Sequence, residues 1–197
     1  MRGPLVSAGG GPAPGPPGIE NRMRGLRVFH VVMAPRQAGA IGGPEVLVRD
    51  HLLPMLPPRG MAGAFVTNRP SVAAGQIAAA GVPVHRVRYE GWGSWPVFRR
   101  DLAALLRRER PDVVVSHGPC VVDAFVTGQC RRAAACVIVR YVVLEDLLWP
   151  AWKKRLFRPA DDWALRRATG VGFAAPRARQ AAAERLGLAE ATARFIS

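Results

Sequence analysis

From Leu26 onward, short β-branched runs alternate with longer stretches whose apolar residues recur every three or four positions. That alternation is the signature of βαβ units wound about a parallel sheet. Leu26–Val32 is almost continuously apolar, as a strand covered on both faces must be. Further strands are predicted over Ala64–Thr67, Val82–Val87, Asp112–Ser116, Cys136–Val142, Gly170–Ala174 and an extended piece Ala193–Ser197. The three consecutive valines of Asp112–Ser116 mark it as central. Helices are predicted between them over Pro44–Leu56, Ser71–Ala80, Trp95–Glu109, Val121–Ala133, Trp152–Ala168 and Pro176–Leu186. In the first, Val48, Leu52 and Leu56 share a stripe, and Pro54 should kink the helix or end it early. In Trp95–Glu109, Phe98, Leu102, Leu105 and Leu106 form the apolar face, leaving Arg99, Arg100, Arg107 and Arg108 to a solvated one. The expected fold is therefore α/β: a Rossmann-like parallel sheet with helices on both faces.

The first residues break this pattern. Residues 3–18 hold six glycines and five prolines and almost no large apolar side chain, so they cannot offset the entropy of ordering. Residues 1–24 read as a disordered tail and 25–197 as the folded domain. At 197 residues with 49% hydrophobic content, one substantial core is expected. The formal charge of +14 points at face value to a polyanion partner. Only Lys153 and Lys154 are lysines among 28 basic residues, however, so a composition biased toward Arg accounts for much of that excess. The longest apolar stretch, Ala133–Trp149, is broken by Arg140, Glu145 and Asp146, which excludes a spanning helix there. The N-terminus has no apolar leader pattern, and Cys120, Cys130 and Cys136 form no Cys-x-x-Cys motif. A cytoplasmic setting and no zinc site are expected.

In an open parallel sheet, ligands bind at the carboxyl ends of the strands. After the first strand comes Gly39-Ala40-Ile41-Gly42-Gly43-Pro44-Glu45, where paired glycines let a backbone approach a ligand, or simply turn the chain. It is not the Gly-x-Gly-x-x-Gly fingerprint, and Thr67-Asn68 stands where a ribose-binding acid would end the second strand. A dinucleotide-dependent oxidoreductase is disfavoured. After the fourth strand, His117 stands at the mouth of the sheet, placed either to bond a sugar hydroxyl and move a proton or to cap the next helix. His30 reads as a buried, hydrogen-bonded structural residue, and His51 and His85 as side chains with no evident partner. Glu145-Asp146 and Asp161-Asp162 read as solvated surface pairs. Trp149, Trp152 and Trp163 read first as core residues. Beside Lys153, Lys154 and Arg155 they also offer an aromatic and basic edge for a membrane or a single-stranded nucleic acid. No P-loop, His-Glu-x-x-His or Gly-x-Ser-x-Gly motif occurs.

Taken together, LRVFHVV, GGPE opening a helix, LAALLRRERPDVVVSHGP, ERLGL and ARFIS resemble the N-terminal half of a family 4 glycosyltransferase of GT-B architecture, over about residues 25–197. The resemblance implies a retaining transfer of a sugar from a nucleotide-sugar donor to an acceptor hydroxyl, with no metal or other cofactor. It implies that Gly42 and Gly43 line the cleft near donor phosphate and acceptor. It makes His117 the catalytic-site residue, touching the transferring sugar or acceptor, with Gly118 and Arg140 as further substrate-binding positions. The partners it implies are the nucleotide sugar and an acceptor glycan or lipid, with peripheral contact at the inner face of the membrane and no nucleic acid. Arg140 stands where members often carry His, Thr169 where they carry Asp, and Ala175 where they carry Ser. The C-terminal, donor-binding domain of the family is lacking, so the domain is expected to be incomplete by itself and to need that domain from another chain. The alternative, from a different class, is a non-catalytic basic module for an anionic membrane surface or nucleic acid; a degenerate remnant is the third reading.

Overall fold

The computed structural model describes residues 24–34, 42–118, 120–131, 133–140, 150–173, 176–187 and 193–195. The readings placed on the N-terminal tail up to residue 23, and on Gly39–Ile41, Pro119, Tyr141, Glu145-Asp146, Trp149 and Ala175, lie outside the described residues.

Seven parallel strands form one sheet in the order β3-β2-β1-β4-β5-β6-β7. They are β1 (Arg27–Val32), β2 (Ala62–Thr67), β3 (Val84–Arg86), β4 (Val113–Ser116), β5 (Ala135–Arg140), β6 (Gly170–Phe173) and β7 (Ala193–Phe195). The helices between them are α1 (Gly43–Leu47), α2 (Val72–Ala79), α3 (Trp95–Glu109), α4 (Cys120–Cys130), α5 (Ala151–Arg167) and α6 (Pro176–Leu186). Strand order runs leftward from β1 to β3 and rightward from β4 to β7, so right-handed crossovers put the two groups of helices on opposite faces. The alternating side chains of the strands accordingly feed two cores. Val28, Val32, Val115 and Val139 pack with Val48, Leu53, Leu56, Ala74 and Ile77 on the α1–α2 face. Phe29, Val31, Val114 and Ile138 pack with Phe98, Leu102, Val122, Val126, Ala164 and Leu165 on the other.

The helix expected over Pro44–Leu56 is the main local departure. Regular helix stops at Leu47, and the Leu53 N–H reaches back five residues to the Val48 carbonyl before a 3₁₀ turn takes over at Leu53–Met55. Pro54 explains this, since its ring excludes the carbonyl four residues earlier and it has no N–H, so the ladder widens and then tightens around it. β3 is shorter than expected, and α4 ends at Cys130 rather than Ala133, where the Ala133 and Ala134 N–H groups both turn back to the Cys130 carbonyl. α5 runs through Pro159, which lies on the exposed side of the helix and has no N–H to give to the Arg155 carbonyl.

Candidate functional site

The strand order reverses between β1 and β4, and the crevice at the carboxyl ends of these two strands is where a ligand fits an open α/β sheet. Register pairs His30 with Val115 and Val31 with Ser116, and the His117 N–H extends the ladder to the Val31 carbonyl. His117 is thus pinned by the sheet itself, one residue past β4. His30 and His117 point to the same face, and His30 Nδ1 and His117 Nε2 share a hydrogen bond of 3.0 Å, buried from solvent. Burial lowers the His30 pKa to about 4. Burial, and then the neighbouring His30, hold His117 well below the ordinary imidazole value. Both shifts keep the rings neutral at pH 7, so at that pH His117 is a hydrogen-bonding group and not the half-titrated acid its position in the sequence allowed.

On the opposite face of the same turn, a second polar cluster fixes the chain. Ser116 Oγ donates to Asp123 Oδ1 at 2.5 Å, and the Gly118 N–H donates to the same oxygen at 3.3 Å. Arg140 Nη1 lies 2.7 Å from Asp123 Oδ2 and donates to the Gly118 carbonyl at 3.3 Å, while its Nη2 pairs with Asp161. Asp123 is fully buried, a placement a carboxylate tolerates only when paired and hydrogen-bonded. Gly118 is a glycine for packing: a Cβ there would sit 2.7 Å from both Cβ and Cγ1 of Val122.

At the start of α1, the Gly42 N–H donates to Glu45 Oε2 at 2.9 Å, and Glu45 Oε1 accepts from Ser71 Oγ at 2.6 Å. Ser71 Oγ in turn accepts from the Ala74 N–H and so caps α2. Gly42 is therefore tied into the fold by Glu45. Gly43 is exposed, and a Cβ there would meet nothing within 4 Å. The fourth loop of the mouth is held by Asn68, whose side chain accepts from the Ala34 N–H at 2.9 Å and donates to the Tyr89 carbonyl at 2.8 Å.

The structure therefore gathers Gly42, Gly43, His117, Gly118 and Arg140 along one edge of the sheet, but with unequal roles. Arg140 is the principal revision: its guanidinium is held by two carboxylates and a carbonyl, clamping β5, α4 and α5 to the turn after β4. Asp161, read as a surface residue, is a member of that clamp, and the neighbouring Asp162 has a buried carboxylate oxygen. His30 is buried and hydrogen-bonded as expected, with His117 as the partner. His85, read without a partner, stacks on Phe29 with ring centroids 5.3 Å apart. Three residues went unweighed in the sequence. Asp123 carries a signal, being the single acid in an apolar helix that must bury one face. Glu45 carries another, since a carboxylate three residues after a helix N-cap is placed to reach back. Ser71 carries a local signal as the N-cap of α2, while its bond to Glu45 comes from tertiary packing.

A family model described as Glycosyl transferase 4-like domain matches residues 42–197. Among curated proteins none matches the sequence. Among solved structures, HepE of Anabaena in complex with UDP-glucose superposes with a TM-score of 0.62 at 14% identity, covering 87% of this chain and 43% of that one. MurG of Acinetobacter baumannii gives a TM-score of 0.52 at 13% identity, over 77% of this chain and 42% of that one. A UDP-N-acetylglucosamine 2-epimerase gives 0.61 at 11% identity, over 86% and 47%. At these identities the likeness is one of fold, and the chain spans less than half the length of each of these proteins.

Proposed function

The chain belongs to the glycosyl transferase 4-like family, and from that premise we propose that it forms the acceptor-side half of a retaining enzyme that moves a sugar from a nucleotide-sugar donor to an acceptor hydroxyl. The observation that carries this reading is the place of His117, one residue past β4 at the carboxyl edge where the strand order reverses, with its ring held neutral by burial. A neutral imidazole bonds a sugar hydroxyl without drawing phosphate to itself, which suits a subsite for the transferring sugar or the acceptor. Open space over Gly43 supports the same reading, because neither a positive φ nor the packing of the chain requires glycine there, whereas a ligand lying against the backbone would. Arg140 acts as a positioning residue, fixing the Gly118 turn that presents His117. In this reading the donor phosphates are held outside this domain, and bringing donor and acceptor together supplies the entropic advantage of the transfer.

The test is a titration of the 197-residue chain with nucleotide sugars and with acceptor sugars, read by NMR at the His117 imidazole and the Gly43 amide, alongside an assay of donor turnover. Acceptor sugars are expected to shift both signals, with no turnover by the chain alone. Absence of any shift by any sugar would overturn the acceptor-side assignment, and turnover by the chain alone would overturn its incompleteness. Retention is read from the anomeric coupling of product formed when the donor domain is supplied.

A further inference from the structure

On α5, Trp152 is 62% exposed, Leu156 59% and Trp163 37%, and Pro159 between them is exposed too. Their spacing of four, three and four residues puts all four on one stripe of the helix. The buried face of the same helix, Phe157, Ala164 and Leu165, lies on the opposite side. A helix on a solvated surface turns its polar residues outward. This one turns an apolar ridge outward instead, and the reading of its tryptophans as core residues is corrected accordingly.

The charges beside the ridge say what covers it. Arg155, Arg158, Arg166 and Arg167 are all exposed, and the Lys153 ammonium lies 5.5 Å from the centre of the Trp152 ring. Of the two acids of the helix, Asp161 is turned inward onto Arg140, and Asp162 is half-buried with one carboxylate oxygen out of solvent. The tip of the Trp163 ring lies over Gly128, 3.7 Å from where a Cβ would stand, and Gly128 borders a shallow groove between α3 and α4 lined by Arg107, Gln129 and Arg131. An apolar ridge with tryptophan at its ends and exposed arginines outnumbering acid on its flanks matches the water–lipid interface of an anionic bilayer, where apolar side chains enter the acyl boundary and arginines reach the headgroups.

We propose that the outward face of α5 docks this domain on an anionic membrane surface, with Trp152, Leu156 and Trp163 inserted and Arg155, Arg166 and Arg167 on the lipid phosphates. The inference stands apart from the sugar-transfer reading. Because helix and strands run antiparallel, the Trp152 end of α5 lies at the same edge of the sheet as His117, so docking would leave that mouth beside the membrane.

The experiment is co-sedimentation of the 197-residue chain with vesicles of phosphatidylcholine alone and of phosphatidylcholine with phosphatidylglycerol in equal parts. Binding is expected to the anionic vesicles and to weaken as salt is raised. Trp152→Ser with Leu156→Ser should lower it on the order of tenfold or more, since both side chains leave the lipid, while the thermal midpoint is unchanged because neither is buried in the fold. Arg155→Gln with Arg166→Gln and Arg167→Gln should abolish the preference for phosphatidylglycerol. The proposal is overturned by equal binding to both vesicles, by a double serine variant that binds as well as the parent, or by no vesicle binding. Self-association or single-stranded DNA binding through the ridge, without vesicle binding, would equally overturn it and name the other occupant.

Discussion

His30 and His117 lie 87 residues apart in sequence and meet across the β1–β4 junction through a shared hydrogen bond, with both residues buried. Neutral imidazoles need only one such bond between them; charged ones would repel at this distance and lack solvation. The pair therefore links the geometry of the mouth to the protonation state of its floor.

Acid should weaken the fold through this pair. Both rings have folded-state pKa values below the ordinary one, so between about pH 6.5 and 4 the unfolded chain binds more protons than the folded one and stability falls as pH falls. The full contribution is present above pH 6.5. For His30 alone, the shift corresponds to on the order of 3 kcal/mol lost on reaching pH 4. Urea midpoints measured from pH 7.5 downward should show this slope, and it should flatten in a His30→Gln, His117→Gln double variant. An equal slope in both proteins would refute the assignment.

Loss of Arg140 should be severe. With Arg140→Met, Asp123 is left fully buried without its cation, at a cost of about 3–5 kcal/mol. Adding Asp123→Asn should restore a substantial part of the loss, because the orphaned charge is then gone. Denaturant titration of the two single variants and the double gives the coupling. Independent, additive effects would show that the clamp does not act as a unit.

Gly118→Ala should destabilise by roughly 1–3 kcal/mol, since the new methyl group lands on the stiff, β-branched Val122. Val122→Ala in the same chain should relieve part of the strain, and thermal unfolding of the pair decides it. If Gly118→Ala alone is neutral, the turn after β4 is more yielding than its contacts imply.

Arg110 closes α3 with φ of 46°, the one described non-glycine residue in the left-handed region. Its N–H bonds the Leu106 carbonyl and Pro111 follows, a helix ending in which glycine normally serves. Arg110→Gly should therefore raise stability by about 0.5–1 kcal/mol, the relief of the Cβ clash outweighing the added freedom of the unfolded chain. A lowered unfolding midpoint would contradict it.

The arrangement of strands and helices was legible from Leu26 onward because burial on two faces imposes a continuous apolar run on each central strand and a stripe on each covering helix. The mouth was legible for the same reason: RPDVVVSHGP ends a central strand and leaves His117 at its carboxyl end. What pattern alone does not decide is which polar side chains meet. His117 lies 87 positions from His30, and Arg140 finds Asp123 and Asp161 only once β4, α4, β5 and α5 are stacked. Neither the depressed basicity of His117 nor the engagement of Arg140 follows from residue type, because both come from desolvation and from partners brought in by packing. The same holds for α5. Its tryptophans carry one hydrophobicity whether inward or outward, and only the packing of Phe157, Ala164 and Leu165 against the sheet decided that Trp152 and Leu156 face the solvent.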